Sequence, residues 1–327
     1  GEEELVLMKI DAENAFNSCS RALTVTALTE EPSLRHLAWT TACQLAPCHG
    51  LETRGEKWGR GEDGTTQGDP PASAQFCASW HKWVRELDKA LGPEGMAKFG
   101  MDDGYLLGYP SVLFPAFLKF AKDVEENCCI KLNFTKCEVF AWSGELPERT
   151  PQGVTMAGME VGGVWEAGCM VYGIPVGTDV YVDTMLDKKV EEIARDAVRT
   201  TKVLAGEPQA LWAVLRLSIQ QKFGYWLSLV HPSQVRAAAS RVDRVLDRVL
   251  EQVAGFTIPK QGEGLPYTCP VNQLGGASFQ AVISSLPIKA GGLGLRSQVE
   301  QSEAAWIGAL EQTIPSFGGE QGMCRPL

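Results

Sequence analysis

Three carboxylates in this 327-residue chain stand where they can act together. Asp11 closes the apolar run Glu4-Leu5-Val6-Leu7-Met8-Lys9-Ile10-Asp11, and Asp102 and Asp103 fall at the tip of a predicted hairpin. If the two elements are neighbours, the oxygens converge into a hard-ligand site suited to Mg²⁺ or Mn²⁺. Two such ions, about 3.5 to 4 Å apart, activate an attacking hydroxyl and stabilise a leaving pyrophosphate in an in-line displacement. Residue type alone leaves plainer alternatives open: an exposed Asp-Asp-Gly turn, and a helix N-cap at Asp11. Cys43, Cys48 and His49 are of zinc-ligand type, but no second pair follows at a suitable spacing, and buried cysteine is the alternative. Trp212, Tyr225 and Trp226 offer faces for base stacking or, at helical spacing, for packing. No Ser/His/Asp hydrolase pattern, P-loop or dinucleotide fingerprint is present.

The elements that must carry these acids follow from hydrophobic periodicity. The run ending at Asp11 reads as a buried strand, with a helix soon after it. A polar stretch between Gly50 and Gly68 reads as a loop or a weakly paired hairpin. Phe76, Trp80, Trp83, Val84, Leu87 and Leu91 recur at spacings of three and four, so a helix is predicted that ends before Gly92-Pro93. Met96 to Met101 and Tyr105-Leu106-Leu107 then read as two strands joined by a tight turn, with Gly104 supplying the positive φ. A helix over about 114 to 127, a strand over 136 to 142, a Pro/Gly-rich boundary near 147 to 153 and an extended piece over 171 to 176 complete the first half. Long helices begin at Asp179. Leu186, Val190, Ile193, Ala197 and Val198 form one apolar stripe, and Val235, Ala238, Ala239, Val242, Val245, Leu246, Val249 and Val253 form another. After Gly255 the chain is rich in Gly and Pro until a last helix near 298 to 312, and no repeat is visible.

Order and spacing carry a resemblance beyond the bare acids. Met8-Lys9-Ile10-Asp11-Ala12-Glu13-Asn14-Ala15-Phe16-Asn17 resembles the first catalytic motif of reverse transcriptases, and Gly64-Thr65-Thr66-Gln67-Gly68-Asp69-Pro70 resembles the second. Phe99-Gly100-Met101-Asp102-Asp103-Gly104 is similar to the aromatic-x-Asp-Asp hairpin. Leu132-Asn133 with Lys136-Cys137-Glu138 looks like the fourth motif, and Tyr172-Gly173-Ile174-Pro175-Val176-Gly177 like the primer-grip region. The nearest likeness is to non-LTR retrotransposon domains, over roughly residues 5 to 180. Leu286-Pro287 with Gly291-Gly292-Leu293-Gly294-Leu295-Arg296 is similar to a segment found after such domains. Pro71-Ala72-Ser73 departs from the residues usual after the second motif.

The resemblance implies an α+β polymerase palm, an antiparallel sheet backed by helices, followed by a helical thumb. It divides the chain into a palm with primer grip over 1–178, a thumb-like region over 179–255 and a post-thumb segment over 256–327. Asp11, Asp102 and Asp103 would be catalytic and, with the carbonyl of Ala12, would hold two Mg²⁺ or Mn²⁺ ions. Phe16 would lie under the incoming sugar and exclude a 2′-hydroxyl. Gln67 and Gly68 would line nucleotide and template, and Lys136 would approach the triphosphate and protonate the leaving pyrophosphate, or be a plain surface lysine. Gly173, Ile174 and Pro175 would hold the primer end. The implied partners are an RNA template, a DNA primer and deoxynucleoside triphosphates. Only ten residues precede Asp11, so a fragment without the fingers is expected, part of a longer polyprotein. An inactive or domesticated remnant that binds nucleic acid or protein is the alternative, and an RNA-dependent RNA polymerase is a third reading that Phe16 disfavours.

Composition bounds these readings. Net charge is -10 and 44% of residues are hydrophobic, with no apolar run long enough for a membrane helix. Ten cysteines without a Cys-x-x-Cys pair suit a reducing intracellular compartment, nucleus or cytoplasm. The acidic balance argues against a uniformly basic nucleic-acid domain, yet residues 188 to 248 hold 11 Lys and Arg against 6 Asp and Glu, net +5. Those bases suit either phosphate contacts along a duplex or a solvated surface of intrahelical ion pairs.

Overall fold

A computed structural model describes residues 3–45, 49–53, 56–61, 64–65, 68–254 and 286–313. The chain divides into two compact units, Gly1–Thr178 and Asp179–Leu327.

In the first unit the apolar run becomes strand β1 (Val6–Ile10). Its inward positions Val6, Met8 and Ile10 are buried while Leu7 and Lys9 face the other way, the period-two pattern of a strand with one face on the core. A two-residue strand β2 (Ala12–Glu13) and helices α1 (Ala15–Ser18), α2 (Arg21–Glu30) and α3 (Arg35–Leu45) follow. The polar stretch is a hairpin of β3 (His49–Thr53) and β4 (Glu56–Gly61), with a register shift between Leu51 and Glu52. Helix α4 (Ala72–Leu91) buries Phe76, Trp80, Leu87 and Leu91 on one stripe and stops at Gly92, whose φ of 73° no longer continues a helix.

The acid-bearing hairpin comprises β5 (Met96–Gly100) and β6 (Asp103–Gly108), Gly100 pairing with Asp103. Its turn corrects one expectation. Met101, not Gly104, takes the positive φ, at 63°. Gly104 lies inside β6, where a Cβ would stand 2.4 Å from the ring of Phe99, so the glycine makes room for an aromatic ring.

Helix α5 (Pro110–Cys128) starts four residues earlier than its apolar pattern suggests. Pro110 occupies the first turn, where a missing N–H costs nothing. Then come β7 (Lys131–Leu132), a 3₁₀ turn (Phe134–Lys136), β8 (Glu138–Phe140), β9 (Thr155–Met156), β10 (Gly158–Val161), β11 (Val164–Val171) and β12 (Ile174–Gly177). The main sheet has the order β5-β6-β1-β8-β9. Four strands are antiparallel, but β9 pairs parallel to β8, so the sheet is mixed rather than wholly antiparallel. The long connection over 141 to 154 returns the chain in the same direction, which a tight hairpin cannot do. Helices α4 and α5 cover one face, where Trp80, Phe76, Phe114, Phe117 and Phe120 fill the core with Met8, Ile10 and Leu106. A second sheet, β10-β11-β12, packs Ala167 and Cys169 with Phe140 and Leu7 on the opposite face.

The second unit is helical: α6 (Asp179–Val203), α7 (Pro208–Val214), a π-helical turn (Leu215–Ile219), a 3₁₀ turn (Gln220–Phe223), α8 (Gly224–Leu229), α9 (Pro232–Ala254) and, beyond residue 286, α10 (Gln298–Thr313). Leu186, Val190, Ile193 and Ala197 are buried on α6, while Val198 is 52% exposed and leaves the expected stripe. Val235, Ala238, Ala239, Val242, Leu246 and Val249 are buried on α9, and Val245 is half-buried. The side chain of Val253, and the Gly/Pro-rich stretch over 255 to 285, lie outside the described residues. No described helix is long and apolar enough to cross a membrane.

Asp243 on α9 caps α10 from outside. Its carboxylate accepts from Ser297 Oγ at 2.8 Å and from the backbone N–H groups of Gln298 at 2.7 Å and Val299 at 3.3 Å. One turn on, burial pushes the Asp247 carboxyl up to about 6, with help from the charges of Asp243 and Glu251. A folded-state value above the unfolded one means stability present below about pH 4 and lost as pH rises through 6. The protein is therefore expected to melt higher at pH 5 than at pH 7 in calorimetry, and Asp247→Asn should flatten that difference. An unchanged pH slope would remove Asp247 as its source.

Candidate functional site

Strand pairing decides which predicted residues meet. Ile10 on β1 pairs with Gly104 on β6, so Asp11 and Asp103 each lie one residue beyond the same rung, at one end of neighbouring strands. Lys9 pairs with Glu138 on the other side, which brings the end of β8 to the same edge. The chain beyond Asp11 stays tied down. Asp11 C=O accepts from Asn133 N–H at 2.8 Å, Ala12 pairs with Leu132 and Glu13 with Lys131. This clamp carries Lys136, 68% exposed, to 3.9 Å from the Asp11 carboxylate, itself 34% exposed. An ion pair so open to water contributes little to stability, on the order of 0 to 1 kcal/mol. It does place an ammonium beside the acid. Beneath them Cys137 is buried, and desolvation pushes its thiol up to about 11, so it is an inert packing group.

The two acids of the hairpin tip diverge. The charge of Asp102 acts on Cys77 of α4, whose thiol is raised first by burial and then by that charge. The charge of Asp103 acts on Tyr172, raised first by burial, then by Tyr105, then by Asp103. Asp102 lies in the turn and Asp103 opens β6, so the two acids face different neighbours. Among the described residues, no three His, Cys, Asp or Glu side chains are gathered so as to hold a metal ion. The donors present are hard carboxylate oxygens, the type Mg²⁺ takes, and Mg²⁺ is commonly held by one or two carboxylates with substrate phosphates completing its shell.

Phe16, on α1, is half-buried with its ring stacked on Phe76 at 4.7 Å and 20°, and Phe76 in turn meets Trp80 at 4.9 Å. Its backbone holds the second motif. Phe16 C=O accepts from Thr65 N–H at 2.7 Å, Cys19 C=O accepts from Gly64 N–H at 2.9 Å, and Arg21 Nε donates to Gly64 C=O at 2.8 Å. Gly64 has a φ of 76°, and a Cβ there would stand 2.5 Å from the backbone of Asn17, so only glycine lets the two segments touch. Gly68 is exposed a few residues on. Gln67 lies outside the described residues, as do Cys48 and the side chain of His49. Of the expected zinc group only Cys43, exposed on α3, is described.

The grip-like residues form the tip of a hairpin. Tyr172 and Gly173 have φ values of 47° and 80° between the pair Val171 and Ile174, the two positive values of a tight two-residue turn. Ile174 and Pro175 are buried beyond it.

A hydroxyl that the sequence did not single out, that of Tyr105, joins this tip to the acid hairpin. The Tyr105 hydroxyl accepts from Tyr172 N–H at 3.0 Å and donates to Met170 C=O at 3.3 Å, and the two tyrosine rings meet at 4.6 Å. The Tyr172 ring also covers Gly100, where a Cβ would stand 2.6 Å from it. The only sequence signal was Gly100 itself, a residue without a side chain beside the paired acids.

In the second unit, part of the basic charge is already engaged. Lys189 pairs with Glu192, Lys222 with Asp196, Arg236 with Glu303 and Arg241 with Asp187. Arg195, Arg199 and Lys202 line a shallow groove on α6 with Val198 and Val203, and make no ion pair among the described residues. Trp212 and Trp226 serve packing. The Trp212 indole N–H donates to Leu293 C=O at 3.0 Å, and Trp226 is buried against Phe223. Tyr225 is half exposed.

No family model matches the chain, and no curated protein matches it. Among solved structures it is similar to telomerase from Candida albicans, in complex with a TWJ fragment of telomeric RNA, with 11% identity and a TM-score of 0.44 over 99% of this chain and 50% of that one. It is also similar to apo telomerase from Candida tropicalis, with 9% identity and a TM-score of 0.39 over 97% of this chain and 51% of that one. The chain thus spans about half the length of either telomerase chain. Likeness at this level decides neither family nor activity.

Proposed function

We propose that this chain is the palm and thumb part of a reverse transcriptase, an RNA-directed DNA polymerase of non-LTR retrotransposon type. The observation that carries the reading is the β1–β6 register, which puts Asp11 and the Asp102-Asp103 tip at one end of adjacent strands. The docking of Thr65 on Phe16 supports it by joining the first and second motifs. In this reading Asp11 and Asp102, with Asp103 and the Ala12 carbonyl near them, would hold two Mg²⁺ or Mn²⁺ ions. When bound, such ions lower the barrier by activating a hydroxyl and neutralising pyrophosphate charge.

The chain's own residues do the rest. The primer 3′-hydroxyl gives its proton to water, its oxygen forms a bond to the α-phosphorus of a deoxynucleoside triphosphate, the bond from that phosphorus to the β-bridging oxygen breaks, and pyrophosphate leaves. Lys136, held beside Asp11, gives the leaving group its proton. Phe16, stacked on Phe76, which Trp80 backs in turn, would be a wall under the sugar. Gln67 and Gly68 would line nucleotide and template, and Gly173, Ile174 and Pro175 would steady the primer end. Primer extension on an RNA template by the protein carrying this chain should be lost in Asp11→Ala and Asp102→Ala, with circular dichroism unchanged. Extension at the parent rate would overturn the assignment.

A remnant that binds nucleic acid or protein without polymerising is the second reading, favoured by the lack of a gathered three-ligand group among the described residues. A Mn²⁺ titration separates the two. Binding that disappears in Asp102→Ala belongs to the polymerase reading, and binding indifferent to that change to the remnant.

A further inference from the structure

The second unit holds a pocket of about 200 Å³ between the π-helical turn and the segment over 286 to 296. Arg216, Gln220, Gln221, Pro287, Gly294 and Arg296 line it. A volume this size is below the roughly 300 to 1,000 Å³ of drug-sized ligand sites and suits one small group. Leu217 and Ile288 add apolar wall, and the charged groups in the lining are the two arginines, so the group it suits is an anion.

The walls are held in place from behind. Gln220 is 4% exposed, and its Oε1 accepts from the backbone N–H of Arg296 at 2.9 Å, which fixes its side-chain amide in the lining. The Arg216 guanidinium lies 5.8 Å from the centre of the Trp212 ring, which its own hydrogen bond to Leu293 anchors. Gly294, at a φ of 68°, leaves the way clear: a Cβ there would stand 2.9 Å from Arg216 Nε. Neither Arg216 nor Arg296 has an acid within ion-pair distance among the described residues, although four other bases of this unit do. Two unneutralised guanidinium groups around one small pocket repel each other until an anion joins them. Phosphate has the oxygens for two forked donors and an amide at once, the geometry in which arginine surpasses lysine.

We propose that this pocket binds a phosphate group, either a phosphodiester of a nucleic-acid strand or free phosphate. The proposal does not rest on the polymerase reading, because none of its residues belongs to the acid-bearing unit. The test uses the whole chain, with Arg296→Gln and the double variant Arg216→Gln/Arg296→Gln. Arg296 is exposed, so its single replacement leaves the fold intact and keeps the test readable if the double variant does not fold.

Inorganic phosphate is titrated by calorimetry, and a fluorescein-labelled single-stranded RNA 12-mer by anisotropy across a salt series. Saturable phosphate binding that weakens at least fivefold in Arg296→Gln and vanishes in the double variant supports the site. If RNA affinity also falls about tenfold in the double variant, and its salt slope drops by about 0.7 per lost phosphate contact, the source is a phosphodiester. If phosphate binding is lost while RNA binding is unchanged, the source is free phosphate. If neither readout separates the variants from the parent, the proposal is overturned.

Discussion

Replacing Trp80 by alanine should cost the protein about 3 to 5 kcal/mol, the range for removing a buried aromatic and leaving its cavity. Trp80 is 2% exposed. Its ring meets Phe76 of α4 at 4.9 Å, Phe99 of β5 at 5.2 Å and Phe120 of α5 at 6.1 Å, so one side chain joins both helices to the acid-bearing hairpin. The void cannot close by a local shift, because three elements would have to move together. Urea unfolding should show a lower midpoint at unchanged slope. Trp39→Ala is the control: that residue is 77% exposed and its loss should stay within about 0.5 kcal/mol. Equal effects at the two tryptophans would show that the core is not centred where it is described.

Gly64→Ala should cost about 3 to 4 kcal/mol through quite different physics. A left-handed backbone costs an L-residue roughly 1 to 2 kcal/mol. The new Cβ would also stand 2.5 Å from the Cα and carbonyl oxygen of Asn17, backbone atoms that cannot swing away. Opening that contact lengthens the bonds from Gly64 to Cys19 and from Thr65 to Phe16, each contributing about 1 kcal/mol. Gly68 has a φ of 100° with no described atom within 4 Å of a Cβ, so Gly68→Ala should cost only the backbone share, about 1 to 2 kcal/mol. Denaturation midpoints of the two variants check the difference. Matching losses would mean that the Asn17 contact does not hold the second motif.

What was legible beforehand was local. A short apolar run ending on an acid marked β1, the three-and-four spacing of Phe76, Trp80, Leu87 and Leu91 marked α4, and the break between Gly100 and Gly104 marked the hairpin. These patterns survive because burial of one face is written into consecutive residues. The left-handed Met101 was not legible, because the turn chemistry of Asp-Asp-Gly favours glycine and the ring of Phe99 had already claimed that site. Parallel pairing of β9 was hidden for another reason: a two-residue strand carries no period. Of the candidate site, the acids stood out by type and spacing and Phe16 through the resemblance, whereas the Tyr105 hydroxyl bridge joins residues 67 positions apart. A tyrosine in an apolar strand looks like any core aromatic until its partner is known. Val198 was misplaced because an apolar residue next to Ala197 extends the stripe on paper, although a helix turns it outward by about 100°.

Strand order has a consequence in time. β1 sits at the middle of the main sheet, yet both strands that pair with it come much later in the chain, β6 from Asp103 and β8 from Glu138. At a synthesis rate of about 5 to 20 residues per second, the apolar Val6–Ile10 segment waits on the order of 5 to 20 seconds before its first partner exists. During that interval its backbone is an open edge and its inward face is uncovered, the state in which nascent chains associate wrongly. The sheet cannot start from its centre as the chain emerges; the centre closes only once β6 and then β8 exist, and β9 joins the edge after them.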